Sequence, residues 1–332
     1  MKKILLGFAL TLGTSFLGHS KVLTVSNHTL SAGKYTKIQD AVDAAAIGDT
    51  IYVHGSTTSY GSFKINKRLV LIGAGHNLKE TQHNLNSNVD NITLEATNSS
   101  ILSSGSIIKG FNIYGISGTA TNILIERNNI QYFTVGGDGW LLRNNIFGYC
   151  YISNFKNIIV SNNVFNSVYY SDKPSVIITN NVIIGGAFSS VSYATITNNI
   201  FIERRSDGFS GSQNTYNKNI SIYWDQINFY TLPPALNSGV GNLNTVDSQF
   251  MTDITGKSIS DARNIDWRLN ATSLGVKYGT DGTDCGIYGG SYPMPNMTGA
   301  TTLPQVISVD IQNSVIPVGG TLNVELKAKS IK

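Results

Sequence analysis

The feature that most constrains the fold is a pair of asparagines that recurs in the middle of the chain. Asn-Asn pairs begin at positions 128, 144, 162, 180 and 198, at spacings of 16, 18, 18 and 18 residues. Each pair follows a short β-type segment and precedes another; the preceding segments read LIER, WLLR, IIVS, VIIT and ATIT. Because a unit this short cannot bury its own apolar face, the units must stack as coils. The repeat predicts a solenoid of parallel strands, about 4.8 Å apart.

Side-chain alternation predicts which residues of each coil face the core. The residue two positions before each pair is aliphatic in four of the five coils, and alternation gives the first Asn the same inward direction. An Asn amide can donate and accept along a stack, and Asn tolerates a left-handed bend. We therefore expect a structural ladder formed by Asn128, Asn144, Asn162, Asn180 and Asn198. An exposed Asn-lined binding groove is the alternative.

Composition agrees with a folded, turn-rich β protein. The chain is 41% hydrophobic and 13% charged, which argues against disorder, and it contains 35 Asn and 33 Gly. The formal net charge is +4; without Lys2 and Lys3 it becomes 22 basic minus 20 acidic residues, or +2. This balance predicts no nucleic-acid partner.

The N-terminus has the pattern of an export signal. Lys2 and Lys3 precede an apolar run of about 14 residues from Ile4 to Leu17, and small residues follow at Gly18 and Ser20. A membrane span needs about 20 apolar residues. Residues 1–20 are therefore predicted to be a signal peptide, and the mature chain a monomer without a transmembrane segment. We expect it in the periplasm, outside the cell or on the cell surface.

The remaining chain divides into a solenoid and a tail. Ile38, Val42 and Ala45 fall on one helical face within residues 36–46, which predicts a short capping helix. We expect a β-helix domain over residues 21–290, with the Asn-Asn coils at about 122–202, and then a linker at 291–301. Residues 302–332 predict a β-hairpin that covers the open end. A flexible tail is the alternative.

Two stretches carry a resemblance to a known superfamily. YTKIQDAVDAAAIGDTIYVHGSTTSYGSFKINKRLVLIGAG resembles the opening of pectin-lyase-like, right-handed parallel β-helix proteins. GNLNTVDSQF, IDWRL and GTDGTDCGIYGG resemble their closing coil. The resemblance covers about four fifths of the chain and implies an all-β fold; it does not imply one activity, because the superfamily contains lyases, hydrolases, esterases and non-enzymatic proteins.

The resemblance also implies where chemistry would occur, since these enzymes use carboxylates and Arg on the outer face. Between residues 101 and 200 the acids are Glu126, Asp138 and Asp172. They form no ladder, so no family motif transfers, and the catalytic candidates are Arg127, Arg143, Glu126 and Asp138. Arg127 and Arg143 each precede a pair, so we expect them to be outward neighbours suited to an acidic sugar. Exposed arginines that support solubility are the alternative.

Aromatic and acidic residues supply further candidates. Tyr149, Tyr151, Tyr169 and Tyr170 are expected to offer a stacking platform for sugar rings, with packing inside the wall as the alternative. Asp281 and Asp284 form a candidate Ca²⁺ loop, with a structural turn as the alternative. No other cofactor is predicted. Cys150 and Cys285 are expected to be separate buried thiols, because the repeat places them several coils apart.

The sequence therefore predicts an exported β-helix protein that binds or processes a polysaccharide along its elongated side, with acidic polysaccharides among the candidates. Two alternatives stay open at this point. One is a pectate-lyase-like lyase or hydrolase acting on a uronate-containing polymer, which needs a carboxylate cluster beside Arg127 or Arg143. The other is a structural or adhesive surface protein without chemistry.

Overall fold

The chain forms a parallel β-helix. A computed structural model describes residues 20–29, 31–77, 85–95, 103–153, 155–171, 175–185, 188–203, 211–223, 237–245, 249–295, 297, 305–311 and 318–329. Apart from its last residue, the predicted signal peptide lies outside this part of the chain. Within it, two parallel sheets of 11 strands each run along the solenoid, and every coil after that of β1 contributes strands to both.

The first sheet stacks one strand from each coil. In order across the sheet, these strands are β1 Val22–Val25, β2 Thr50–Val53, β4 Val70–Gly73, β6 Ile107–Lys109, β8 Leu124–Glu126, β10 Leu141–Arg143, β12 Ile158–Ser161, β14 Val176–Thr179, β17 Ala194–Thr197, β19 Thr215–Asn217 and β21 Ser238–Val240. The inward positions of these strands are apolar and the outward ones are half-buried or exposed, as in Leu141–Arg143, where Leu142 alone is fully buried. This is the alternation that period-two side chains produce on a sheet with one buried face.

The second sheet stacks the other strand of each coil. Its strands are β3 Phe63–Ile65, β5 Asn88–Leu94, β7 Asn112–Gly118, β9 Asn129–Thr134, β11 Ile146–Tyr151, β13 Val164–Ser171, β15 Val182–Ile184, β16 Phe188–Val191, β18 Ile200–Glu203, β20 Ile220–Tyr223 and β22 Leu243–Thr245. Strands β15 and β16 both pair with β13, at its first and second halves.

Aromatic rings fill much of the space between the sheets. Phe147 and Phe165 stack with ring centroids 4.7 Å apart, and Phe133 contacts the edge of Trp140 at 5.6 Å. All four side chains are at most 1% exposed. Burying an aromatic or aliphatic side chain contributes about 1.5–3 kcal/mol, so this continuous core is the main source of stability.

In the six coils from β8 to β19, the two sheets meet at a corner residue that has a left-handed backbone. These residues have φ between 53° and 59° and are Arg127, Asn144, Asn162, Asn180, Asn198 and Lys218. Asn adopts this conformation at lower cost than most residues, which explains the first Asn of each pair. The expectation that Asn occupies a left-handed bend is confirmed for the pairs from 144 onward.

The residue after this corner forms the buried ladder. Its members are Asn128, Asn145, Asn163, Asn181, Asn199, Asn219 and Asn242. Each Oδ1 from Asn145 onward accepts the backbone N–H and the Nδ2–H of the ladder Asn in the preceding coil, and each Nδ2 also donates to a backbone carbonyl of that coil. For Asn163 and Asn181 these distances are 2.8 Å for N to Oδ1 and 3.1 Å for Nδ2 to Oδ1.

Of the predicted ladder residues, Asn128 belongs to this core ladder. The other four are also buried but lie on the other side of the corner, where Asn198 Nδ2 donates to Asn180 Oδ1 at 3.4 Å. The period-two argument fails because a left-handed residue turns its side chain to the other face, so Asn144, Asn162, Asn180 and Asn198 point away from the core ladder. The register of the first Asn-Asn coil also differs from the prediction. The residue that pairs with the inward Leu142 is Ile125 and not Glu126.

Helix α1 spans Ile38–Ala44 and contacts β1, β2 and β3. Ile38, Val42 and Ala45, the predicted apolar face, are all buried. That α1 caps the first coil stays a prediction. Strands β23 Gln305–Ile311 and β24 Val324–Lys329 pair antiparallel within the predicted hairpin region. That this hairpin covers the end of the solenoid also stays a prediction.

Residues 249–295 pack along the outside of the solenoid and add no strand to either sheet; we call them the strap. They include one 3-10 helix at Ile259–Asn264. The outward Asn side chains hold the strap in place. Asn162 Nδ2 donates to the carbonyl oxygens of Ile287 and Gly289 at 3.0 and 2.7 Å, and Asn180 Nδ2 donates to that of Asp284 at 3.2 Å.

Both cysteines are buried free thiols, which confirms the sequence expectation. Cys150 lies in β11, and Cys285 lies in the strap with Sγ 3.4 Å from the carbonyl oxygen of Lys218. Burial raises the pKa of both thiols, that of Cys285 to about 12. Among the described residues, no helix has the length and apolarity that crossing a bilayer requires.

Because a thiolate is the reactive form, we expect both thiols to resist alkylation at pH 8 in the native protein. Both should react within minutes in denaturant. Mass spectrometry of iodoacetamide-treated protein counts the modified cysteines in each state. Native labelling of either cysteine at the rate seen in denaturant would contradict this packing.

Candidate functional site

The structure brings Glu126, Arg127 and Arg143 together, but not in the predicted arrangement. Arg143 is the lateral neighbour of Glu126 in the first sheet, and Glu126 Oε1 lies 3.2 Å from Arg143 Nε and 3.9 Å from Arg127 Nε. The predicted outward step of two adjacent arginines is therefore wrong, because the register of this coil is shifted by one residue. The three groups form an ion-paired cluster, and the Tyr292 ring of the strap lies 4.6 Å from Arg143 Cζ.

The other predicted acids serve turns. Asp138 Oδ1 accepts the backbone N–H of Lys156 at 3.0 Å in the turn between β9 and β10. Asp281 Oδ1 accepts the Thr283 backbone N–H and hydroxyl at 3.0 and 2.7 Å, and Asp284 Oδ1 accepts the Lys277 N–H at 2.8 Å. The described residues hold no group of three or more His, Cys, Asp or Glu side chains arranged for a metal ion. That Asp281 and Asp284 bind Ca²⁺ stays a prediction.

The predicted tyrosines stack on the outer face of the second sheet. Tyr149 and Tyr169 have ring centroids 6.3 Å apart, and Tyr151 and Tyr169 are 5.1 Å apart with planes 19° from parallel. All three are half-buried. Tyr170 lies in β13, but its side chain is outside the described part of the structure.

Two tyrosines that the sequence analysis missed extend this row and are more exposed. The Tyr132 ring stacks on Tyr149 at 5.7 Å with planes 15° apart, and Tyr114 contacts the edge of Tyr132 at 5.3 Å. Tyr114 is 59% exposed and Tyr132 is 39% exposed. We call Tyr114, Tyr132, Tyr149, Tyr151 and Tyr169 the tyrosine row. It crosses β7, β9, β11 and β13 in the direction of the solenoid axis.

A strip of amides lies beside the exposed end of the tyrosine row. Asn112 Nδ2 donates to Asn88 Oδ1 at 2.9 Å, and Asn129 Nδ2 donates to Asn112 Oδ1 at 2.6 Å. We call these three residues the amide strip. Each NH2 group has two N–H donors, so a bond to one neighbour leaves donor capacity along the strip.

The amide strip and the exposed tyrosines enclose a cleft of about 460 Å³. It is lined by Ser59, Asn88, Val89, Asp90, Asn112, Ile113, Tyr114, Asn129, Gln131 and Tyr132. Asp90 is exposed, and its Oδ1 accepts the Ser59 hydroxyl at 2.8 Å. Nine of the ten lining residues lie on strands β5, β7 and β9, and Ser59 is the exception. Sites built on strands are held more precisely than sites on loops.

The cleft lies beside the part of the second sheet that the strap covers. The amide strip occupies one lateral column of the second sheet, and this column becomes apolar in the later coils. In order, the column is Asn88, Asn112, Asn129, Ile146, Val164, Val182, Ile200, Ile220 and Leu243. Strap side chains such as Phe250, Ile265 and Trp267 pack on this apolar part. Among the residues of this column, those on β5, β7 and β9 are polar and those on the later strands are apolar.

Neither the Asn-Asn repeat nor side-chain alternation predicts this cleft. Tyr114 lies in a coil without an Asn-Asn pair. Counting from the pairs also misses Tyr132, because the register of the coil that contains Arg127 is shifted by one residue. A search for tyrosines 17–18 residues apart, as in Tyr114, Tyr132 and Tyr149, would have found the row.

Comparison with known proteins does not assign the chain to a family. No family model matches the chain, and no curated protein matches it. Among solved structures, the pectin methylesterase from Aspergillus niger in deglycosylated form is 15% identical with a TM-score of 0.35, over 72% of this chain and 95% of that chain. The alginate lyase from Paenibacillus sp. str. FPU-7 is 15% identical with a TM-score of 0.30, over 68% of this chain and 96% of that chain. The strand pairing, independently of these alignments, makes the chain a parallel β-helix.

Proposed function

We propose that this protein binds a polysaccharide in the cleft beside the amide strip, with the tyrosine row as its platform. The observation that carries the proposal is the exposure of Tyr114 and Tyr132, at 59% and 39%, next to a continuous strip of amides. An aromatic ring offers an apolar face and a sugar ring has apolar C–H faces, so stacking between them removes both from water.

The polar lining supplies the second requirement of sugar recognition. Sugar hydroxyls both donate and accept hydrogen bonds, and so do the amides of Asn88, Asn112, Asn129 and Gln131. A few polar groups that converge beside apolar surface are the usual composition of a small-molecule site. The cleft combines both on one face.

The direction of the site favours a chain-like ligand over a single sugar. The tyrosine row and the amide strip both run from strand to strand, and strands repeat about every 4.8 Å along the axis. A polymer lying parallel to the axis would meet equivalent groups in successive coils. The predicted export signal supports a location where such polymers occur, and export is part of the proposal.

Cleavage is not part of the proposal. Hydrolysis of a glycosidic bond ordinarily uses two carboxyl groups that flank the bond. Among the ten described lining residues Asp90 is the one carboxylate, and Glu126 is ion-paired outside this lining. The geometry of the described residues supports binding, and none of the described lining residues other than Asp90 supplies the carboxylate that the enzymatic alternatives need.

A polysaccharide array first identifies the glycans that the wild-type protein binds. The test then measures the affinity of each variant for those glycans. Tyr132→Ala is expected to weaken binding about tenfold or more, because truncating a stacked aromatic anchor costs about 2 kcal/mol or more. The matched control is Tyr193→Asn: Tyr193 is 45% exposed, adjoins β17 in the other sheet and has a φ of 59°, which Asn tolerates. Equal affinity of Tyr132→Ala and wild type, with the fold intact by circular dichroism, would place any glycan site elsewhere.

A further inference from the structure

The charges around the cleft carry a more specific inference about its ligand, which rests on the proposed function. Of the ten described residues that line the cleft, Asp90 is the one that is charged at neutral pH. It is exposed, and its carboxylate is oriented by the Ser59 hydroxyl at 2.8 Å. The described lining thus contains no Lys or Arg.

Basic residues of the neighbouring described chain are engaged by other groups. Arg263 of the strap donates to the His76 carbonyl oxygen at 3.1 Å, and Lys64 on β3 pairs with Glu95 at 2.8 Å. Arg127 and Arg143 flank Glu126, and Arg143 lies beneath the Tyr292 ring. Lys109 is the lateral neighbour of Glu126 on the first sheet. None of these residues lines the cleft. A carboxylate or sulfate on a bound sugar would therefore meet a carboxylate, and no cation, among the described lining residues.

We propose that the cleft selects uncharged sugars, and that Asp90 excludes anionic ones while accepting a hydrogen bond from a sugar hydroxyl. A like charge placed at a binding surface discriminates against the wrong ligand as effectively as a new contact favours the right one. Neutral hydroxyls, in contrast, find partners in Asn88, Asn112, Asn129 and Asp90. A uronate-containing polymer, the substrate class of the sequence-based enzymatic alternative, is thereby disfavoured.

The experiment compares sugars that differ only by oxidation at C6. Three matched pairs serve: glucan and glucuronan, galactan and galacturonan, and mannan and mannuronan oligosaccharides of equal length. Isothermal titration calorimetry gives the affinity of the full-length mature protein for each member, at low salt and again at 0.5 M NaCl. We expect the neutral member of at least one pair to bind about tenfold more tightly than its oxidised counterpart at low salt, with a smaller ratio at high salt because exposed charges are screened.

Asp90→Asn is the diagnostic variant, since it removes the charge and keeps the shape. It is expected to tighten binding of the oxidised member by about threefold to tenfold, and to change binding of the neutral member by less. Asp253→Asn is the control, because Asp253 is exposed in a strap turn away from the cleft, where its Oδ1 accepts the Thr255 N–H. It should leave both affinities unchanged.

The outcomes separate this inference from the function on which it rests. Oxidised sugars that bind as tightly as neutral ones would overturn the selectivity while leaving polysaccharide binding intact. A ratio that Asp90→Asn leaves unchanged would overturn the role of Asp90. Failure of every pair to bind, with a cleft shown intact by circular dichroism and native thermal unfolding, would overturn the proposed function together with its selectivity.

Discussion

Replacing Asn181 by Leu is expected to lower the free energy of unfolding by about 4–6 kcal/mol, because it breaks the buried ladder at its centre. The Asn181 side chain is fully buried and makes bonds to both adjacent coils. Its Oδ1 accepts the Asn163 N–H at 2.8 Å, and its Nδ2 donates to Val160 O and Asn199 Oδ1 at 2.8 and 2.9 Å. Leu would leave these groups buried without partners, and each costs about 1–3 kcal/mol.

Urea denaturation followed by far-ultraviolet circular dichroism measures this loss. Asn244→Leu is the matched control, since Asn244 is exposed on β22 and the same substitution there should change stability by less than about 0.5 kcal/mol. A midpoint for Asn181→Leu within error of the control would show that the ladder contributes no more than surface asparagines.

Trp267→Ala is expected to release the strap, at a cost of about 3–5 kcal/mol for this region. Trp267 is 1% exposed, contacts the edge of the Phe250 ring at 5.2 Å and donates from Nε1 to the Ala262 carbonyl at 2.9 Å. It belongs to the apolar cluster that covers Ile146 and the later coils. Loss of this anchor would expose a continuous apolar column along the solenoid.

Limited proteolysis and binding of an apolar dye report strap release. The variant should be cut within residues 249–295 and bind the dye, while circular dichroism keeps the β-sheet spectrum of the solenoid. Met251→Ala, at a strap residue that is 61% exposed, should behave as wild type. A Trp267→Ala protein that resists proteolysis as wild type does would contradict the anchoring role.

The architecture was predictable because one local rule repeats in every coil. Asn-Asn spacing and alternating apolar residues predict stacked parallel strands without knowledge of any distant contact. Alternation could not predict which Asn of each pair forms the ladder. The left-handed residue at each corner reverses the side on which the next side chains lie. The coils at Lys218-Asn219 and Gly241-Asn242 share this rule, although they lack an Asn-Asn pair.

The candidate site was less predictable, because it depends on which part of the outer face the strap leaves uncovered. Tyr149 and Tyr169 were found from the repeat, but the more exposed Tyr114 and Tyr132 were not. Asn129 was assigned only as the second member of a pair, and its role in the amide strip depends on contact with Asn112 in the neighbouring coil. The change from Asn129 to Ile146 within one lateral column can be interpreted only when the structure shows that the strap packs on Ile146.

A crystal structure of the protein with a neutral oligosaccharide that it binds would test the central claim most directly. The account predicts electron density for a sugar chain parallel to the solenoid axis, with a sugar ring against Tyr114 or Tyr132 and hydroxyls within hydrogen-bonding distance of Asn112 and Asn129. A sugar bound on any other face, with the cleft occupied by water alone, would contradict it.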